Sequence, residues 1–374
     1  MALREPGKGA GFLRFLVKVV VGKPRPGMEK EDVRKILVVR IDERLGDLLL
    51  TTPLIRAVGR WAKERDGIVK TLVSERYSSI LNGNPYIDEV LTFQKRDFFR
   101  HPLFFTRLLK RLRAEAFDAV IDASHPQVFS RTSALLAYAT GAPYRIGHDR
   151  GAARLFFSRP VPVLQPVDQV TEAEHKRTLL HPLHVPKASA RMDFFALEAD
   201  NTGRARAKAL DFLSHVTSKK GAPGGPLVGL YPGGRKKEQR WPLEHFITLG
   251  KALNMHNHAG LVVFWGPGEI QLAEKIASRI ENAALAPPTD LLELAALIEV
   301  MDVFVSNDTG PMHLSSALGI PVCGIFLTGA GKRYGPFGPL GRVVDGIDGP
   351  PSPDAVIGAV EDLLSSRTTT EVKV

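Results

Sequence analysis

The stretch VFVSNDTGPMHLSSALGIPVCGIF, residues 303–326, reads as two buried strands with a short helix between them. VFVS (303–306) and GIPVCGIF (319–326) are continuous apolar runs of strand length, the pattern of strands covered on both faces. Residues 312–318 have helical spacing, and Pro311 suits the first helical position. The turn into the helix, SNDTGP (306–311), is more elaborate than a strand-to-helix turn requires.

The same alternation extends in both directions. PLVGLYP (226–232) and GLVVFWG (260–266) are strands, with helices over residues 243–255, 270–280 and 291–300 and a last amphipathic helix over 354–365. Upstream, KILVVRI (35–41), TLV (71–73), EVLTF (89–93), FDAVIDAS (117–124) and PYRIG (143–147) read as strands. Helical spacing covers 46–62, 103–113 and 132–138. RPVPVLQPVDQV (159–170) is extended and Pro-rich, residues 204–213 are helical, and KKGAPGGP (219–226) is a loop. Alternating strands and helices build mostly parallel sheets with helices on both faces. The expected fold class is α/β, two doubly wound units facing a cleft. An arm (1–33) precedes an N-terminal unit (34–186); a C-terminal unit (187–352) precedes a helix and tail (353–374). Ligands in such units sit beyond the carboxyl ends of the strands.

Composition agrees with this size. A chain of 374 residues fills two domains of ordinary size. Its single cysteine, Cys323, lies in an apolar run; it excludes an internal disulfide and a Cys-based metal cluster, and favours a reducing, cytoplasmic compartment. The net charge of +10 is uneven: residues 1–35 hold nine Lys/Arg against four Asp/Glu, residues 36–200 twenty-four against nineteen, and the remainder seventeen of each. The excess in the front half points to an anionic surface or ligand there. No dense basic tract with interleaved aromatics and no nucleic-acid-binding motif occurs, so nucleic acid is not the expected partner.

The arm contains GFLRFLVKVVVGKPRPG (11–27), too short and too charged to span a bilayer and followed by no small-residue cleavage site. Leu13, Leu16, Val17 and Val20 share one helical face, with Arg14 and Lys18 on another. That pattern suits a helix lying in an anionic membrane interface, or an arm packed on its own domain.

The loops carry the chemistry. In SNDTGP a helix N-terminus presents free N–H groups and partial positive charge, a seat for phosphate. Gly310 admits close approach, Thr309 adds a hydroxyl donor, and His313 is one turn in. Asp308 would repel phosphate and better accepts a bond from a backbone N–H or a ligand hydroxyl. Helix capping alone accounts equally for Asp, Thr and Gly here. YPGGRKKEQRWP (231–242) is a second such loop, with Gly233 and Gly234 followed by Arg235, Lys236, Lys237 and Arg240. Glycines with nearby cations are what a pyrophosphate requires. FWGPGE (264–269) ends in Glu269, a carboxylate suited to ribose hydroxyls or a base. Three loops on one edge favour a nucleotide site. Neither G-x-x-x-x-G-K-[ST] nor G-x-G-x-x-G is present, and no D-x-D pair offers a metal site, so helix dipoles and cations must neutralise a diphosphate. No cofactor is called for. In the first unit, Gly46 lies in the turn of IDERLGDLLLTTPLIRAV (41–58), and Asp47 begins the helix. Asp47 is placed to act as general base on a hydroxyl, or as an ordinary dipole partner.

Together these motifs resemble the ADP-heptose:lipopolysaccharide heptosyltransferases, glycosyltransferase family 9. ILVVRIDERLGDLLLTTPLIRAV (36–58), LVGLYPGGRKKEQRWPLEHFITL (227–249) and LAALIEVMDVFVSNDTGPMHLSSALGIPVCGIFLTG (294–329) carry the resemblance, with weaker support from DASHPQVFSRTSALLAYATGAPYRIG (122–147). It spans roughly residues 34–365. The resemblance implies a GT-B architecture of two Rossmann-like units, with the sugar nucleotide in the C-terminal one. It further implies inverting transfer of heptose from ADP-heptose to an anionic lipopolysaccharide core acceptor. The family's general base falls on Asp47. Its diphosphate-binding residues fall on Asp308, Thr309, Gly310 and His313, its small-residue loop on Gly233 and Gly234, and its ribose or base carboxylate on Glu269.

One departure is Gln239, where many relatives place a Lys directly before Arg-Trp-Pro; Lys237 or Arg240 can substitute. Acceptor contacts are expected from Gly46, Arg131 and Arg145, with Arg150 and Arg154 as further candidates. The expected protein is thus a cytoplasmic glycosyltransferase, meeting the inner face of the cytoplasmic membrane if its arm does. Two alternatives stay open: a GT-B enzyme acting on another nucleotide sugar, as hexosyltransferase or epimerase, and a non-catalytic nucleotide- or glycolipid-binding relative.

Overall fold

The computed structural model describes residues 15, 18–19, 22–94, 102–187, 189–220, 225–346 and 348–371. The chain divides into two compact units between Ala190 and Arg191.

The first unit runs β1 (Lys35–Arg40), α1 (Leu45–Leu49), α2 (Thr52–Lys63), β2 (Ile68–Ser74), β3 (Glu89–Phe93), α3 (Pro102–Ala114), β4 (Ala119–Asp122), α4 (Arg131–Ala139), β5 (Tyr144–His148), β6 (Arg159–Val161) and α5 (Glu172–Thr178). Its six strands are parallel in the order β3-β2-β1-β4-β5-β6. Val38 is the register point, level with Thr71 on one side and Ile121 on the other. Every β1 residue from Ile36 to Arg40 is buried, as a central strand between two helical layers must be. Leu37, Val39, Leu72, Leu91, Leu112, Val120 and Phe156 lie in one apolar core.

The second unit runs α6 (Arg204–Lys220), β7 (Leu227–Tyr231), α7 (Leu243–Asn257), β8 (Gly260–Val263), α8 (Ile270–Ala277), β9 (Ala283–Leu285), α9 (Leu291–Glu299), β10 (Val303–Asn307), α10 (Gly310–Leu318), β11 (Val322–Phe326), α11 (Gly331–Tyr334), β12 (Gly341–Asp345) and α12 (Pro353–Glu371). Its strand order is β12-β11-β10-β7-β8-β9, again parallel. Both units are therefore doubly wound, and the α/β expectation holds. Each order reverses direction once, at β1/β4 and at β10/β7, which are the points where such sheets receive ligands.

Three details differ from the sequence reading. The helix expected over 46–62 is two: the Thr51 and Thr52 hydroxyls donate to the carbonyls of Asp47 and Leu49, both at 2.8 Å, and α2 restarts with Pro53 in its first turn. The short strands β6, β9 and β12 were not foreseen; β6 is an edge strand, where Pro160 is tolerated. Nor was α5, a helix whose Glu172, His175 and Lys176 are buried.

The amphipathic face expected at Leu13, Leu16, Val17 and Val20 lies outside the described residues. Downstream of it the arm is fastened to the first unit. Arg25 donates to the carbonyls of Ala116 and Phe117, its N–H donates to the Gly141 carbonyl at 2.9 Å, and Tyr144 donates to the Met28 carbonyl at 3.1 Å. Among the described residues no helix is long and apolar enough to cross a membrane.

Candidate active site

Asp47 lies in the first turn of α1, directly beyond the carboxyl end of β1 and thus at the first unit's switch point. Gly46 is in that same helical turn rather than before it. Arg40, the last residue of β1, is sealed beneath them. Its Nη2 lies 2.9 Å from Asp47 Oδ2, its Nη1 donates to the Ala123 carbonyl at 2.5 Å, and its Nε faces Asp42 at 3.4 Å. Exposed Arg44 approaches the same Asp47 oxygen at 3.8 Å. Burial pushes the Asp47 carboxyl up, but Arg40, then Lys176, with Arg44, hold it below its ordinary value. Burial likewise opposes the Arg40 charge, and Asp47 and Asp42 overcome it. Asp47 is thus an ionised carboxylate with an open edge.

Beside it, Asp122 at the end of β4 accepts from Ser133 Oγ at 2.8 Å and from Ser124 at 3.1 Å (N–H) and 3.0 Å (Oγ). Arg150, buried, donates to Ser124 and to the His148 carbonyl. Burial, with Arg150 and Lys176, pushes the His148 imidazole down to about 3, so it is neutral.

At the second unit's edge, the loops following β7, β8 and β10 meet. Asn307, buried at the end of β10, accepts the Trp241 N–H and donates to the carbonyls of Pro232 and Gly233. Glu269 joins the loops after β7 and β8. Its Oε1 accepts from the Gly234 N–H and from Arg240 Nη2, both at 2.8 Å; its Oε2 accepts from the Tyr231 hydroxyl at 3.0 Å and the Gly266 N–H at 3.1 Å. A carboxylate has about four lone-pair positions. All of Glu269's are taken by protein, so here it shapes the loop and has no position left for ribose hydroxyls. Gly233 is required at this packing, because a Cβ there would stand 2.0 Å from Glu269 Oε2. Arg240 is similarly engaged, with Nε and Nη2 both donating to the Gly234 carbonyl, which leaves Nη1.

Thr309 is the extended residue before α10, and its hydroxyl contacts Ser306 Oγ at 2.8 Å. Gly310 opens the helix and Pro311 follows in its first turn, one place later than expected. A Cβ on Gly234 would lie 3.7 Å from Thr309 Cγ2, so the two loops touch. Asp308 is exposed and His313 buried in the helix. Arg235, Lys236 and Lys237 stand exposed on the loop after β7, with no ion pair among the described residues. The N-terminus of α10, the glycine loop and its exposed cations therefore lie at one edge of the sheet, an arrangement that receives anions. Among the described residues, no group of three or more His, Cys, Asp or Glu is placed to hold a metal ion.

The family profile of glycosyltransferase family 9 (heptosyltransferase) matches residues 105–363. The chain belongs to this family. Among its relatives, a lipopolysaccharide heptosyltransferase 1 of Pseudomonas aeruginosa is 25% identical, over 78% of this chain and 78% of that protein. Of solved structures, a Veillonella parvula family 9 glycosyltransferase matches with TM-score 0.74 at 21% identity, covering 90% of this chain and 99% of the other. Escherichia coli ADP-heptose lipopolysaccharide heptosyltransferase II matches with TM-score 0.67 at 20% identity, covering 89% and 99%. The fold of this family 9 glycosyltransferase is that of GT-B heptosyltransferases.

The arginines expected at the acceptor are not all brought to Asp47's edge. Arg131 is exposed in the first turn of α4, just past the β4 end. Arg145 is not there. It sits near the amino end of β5, donating to the carbonyls of Ala142 and Phe156 at 2.6 and 2.8 Å. Arg150 is buried, and Arg154 is paired with Asp149 at 2.6 Å. Sequence reasoning missed Arg40, Arg44, Asn307 and the buried pair of α5. One signal for α5 was present: Thr171 accepts from the Glu174 N–H at 3.2 Å, the Thr-x-x-Glu pattern that opens a helix.

Proposed function

We propose that this family 9 glycosyltransferase transfers a heptose from ADP-heptose to a lipopolysaccharide inner-core acceptor, with inversion at the anomeric carbon. The observation that carries the reading is Asp47, a carboxylate kept ionised by sealed Arg40 and open on one side at a switch point. Asp47 takes the proton of the acceptor hydroxyl as that oxygen bonds to the anomeric carbon. The bond from that carbon to the diphosphate breaks, and its electron pair leaves with ADP. The first unit holds the acceptor, with Gly46 beside Asp47 in α1 and with Arg44 and Arg131 meeting its anionic groups.

The second unit holds the donor. The diphosphate lies against Thr309, Gly310 and the N-terminus of α10, with His313 one turn in and Gly233 and Gly234 opposite. Lys237 takes the place of the lysine that Gln239 replaces, Arg240 adds its Nη1, and Asp308 accepts a sugar hydroxyl. Glu269 acts by shaping the glycine loop. The relatives' names support a heptose donor, and the front-half charge supports an anionic acceptor. The enzyme works in the cytoplasm, its N-terminal arm touching the membrane that carries the acceptor. A thermal-shift comparison of ADP, UDP, GDP and CMP tests the donor: stabilisation by ADP alone is expected, and selective stabilisation by UDP would overturn it.

A further inference from the structure

Four charges of alternating sign meet behind the open edge of Asp47. Arg40 and Asp47 are paired at 2.9 Å, and on α5 Glu172 Oε1 and Lys176 Nζ are paired at 2.5 Å. The side chains of Arg40, Lys176 and Glu172 are 1%, 1% and 0% exposed, against 11% for Asp47. The cluster therefore opens to solvent only at its carboxylate. Helix α5 reaches this position by packing on α2, which follows α1. Removing a Glu–Lys pair from water costs more than burying two apolar side chains of similar volume. Packing alone gives no reason for charge at both positions.

The electrostatics supply a reason. Were Asp47 to face only the sealed cations Arg40 and Lys176, each would resist its gaining a proton. Glu172 is the sealed anion whose field opposes them at Asp47, and it reaches Arg40 and Lys176 as well; Asp122, equally sealed, acts on Arg40. Among the described residues, the other charged groups around the cluster are Arg44 just before α1, Asp42 past β1, Asp122 on β4 and Arg150 past β5. His148 and His175 face each other edge to face at 6.3 Å, and His148 is neutral.

We propose that Glu172, held against Lys176, is a positioning residue that keeps Asp47 a usable base, by offsetting the buried cations behind it. This rests on the reading of Asp47 as the base, and the experiment separates the two. The Asp47 carboxyl is titrated by NMR in the full-length chain, its signal identified by its loss in Asp47→Asn. Glu172→Gln is expected to lower the Asp47 midpoint and Lys176→Met to raise it, each by roughly one pH unit, the scale of one nearby buried charge. The double variant should raise it by less than Lys176→Met alone. The acidic limb of kcat for heptose transfer from ADP-heptose should move in the same directions, with the donor KM unchanged. A role in packing alone would lower thermal stability without moving the titration. If Glu172→Gln does not fold, the other two variants decide by the same measurement. Loss of transfer in Asp47→Asn with an unmoved titration in the folded variants overturns this inference alone. Retained transfer in Asp47→Asn overturns the base reading and this inference with it.

Discussion

Asn307 binds Trp241 across two loops: its Oδ1 accepts the Trp241 N–H at 3.0 Å, while its Nδ2 donates to the carbonyls of Pro232 and Gly233 at 2.9 and 3.0 Å. One buried amide thus joins the end of β10 to both ends of the glycine loop after β7. Asn307→Leu would fill the space and leave three backbone groups unpaired. At about 1–3 kcal/mol for a buried polar group left without a partner, the loss should be on the order of 3 kcal/mol. The urea midpoint of the second unit should fall with its slope unchanged.

Asp47→Asn tests the proposed base with little change of shape. General-base assistance is worth about 10²- to 10⁴-fold, so transfer should fall within that range. Calorimetry should give an ADP affinity near that of the parent chain. Substantial residual transfer would remove Asp47 from the chemistry.

Gly233→Ala places a methyl 2.0 Å from Glu269 Oε2 and 2.6 Å from its Cδ. The carboxylate must move, breaking its bonds to the Gly234 N–H and Arg240. We expect destabilisation of about 1–3 kcal/mol and weaker ADP binding by calorimetry. Unchanged ADP binding would separate the glycine loop from the nucleotide.

Glu293 provides an acid-sensitive tie between α9 and α6. The Lys208 bond, then the Asp290 N–H and Arg204, hold its carboxyl at about 2. Its folded value is below its unfolded value, so the stabilisation is fully present above the ordinary glutamate range near 4.5. It is lost as the pH falls towards about 2. Lys208→Met should flatten the decline of Tm with acid over that window.

Cys323 is buried in β11, and burial pushes its thiol up to about 12. The thiolate is the reactive species. Native protein should resist a thiol reagent near pH 8 and react once unfolded; rapid native labelling would show that β11 opens.

The central strands were legible because parallel strands covered on both faces are uninterrupted apolar runs, as in VFVS and KILVVRI. Edge strands β6 and β9 have three residues each and no such signature. The glycine loop and the Thr309–Gly310 turn could be found because glycines and cap residues mark loops by type. Buried polar roles could not. Glu-Ala-Glu-His-Lys-Arg-Thr (172–178) has no apolar stripe and reads as a wet surface, yet Glu172 and Lys176 are sealed. Glu269 looked like a free carboxylate because its four partners come from residues 231, 234, 240 and 266, which only the fold assembles. Arg145 read as an acceptor contact, and only the placement of β5 shows its guanidinium tied to nearby carbonyls.

The position of α5 after the last strand of its sheet bears on where the enzyme can be divided. A piece ending in the prolines at 160–166 would keep all six strands of the first sheet and most of its oily interior. It would nevertheless leave Arg40 and Asp47 without the Glu172–Lys176 pair, which follows six to ten residues after Pro166. The natural seam for dissecting the halves lies past Leu183, and a fragment ending before α5 would lose the sealed ion pair beside the spot proposed for chemistry.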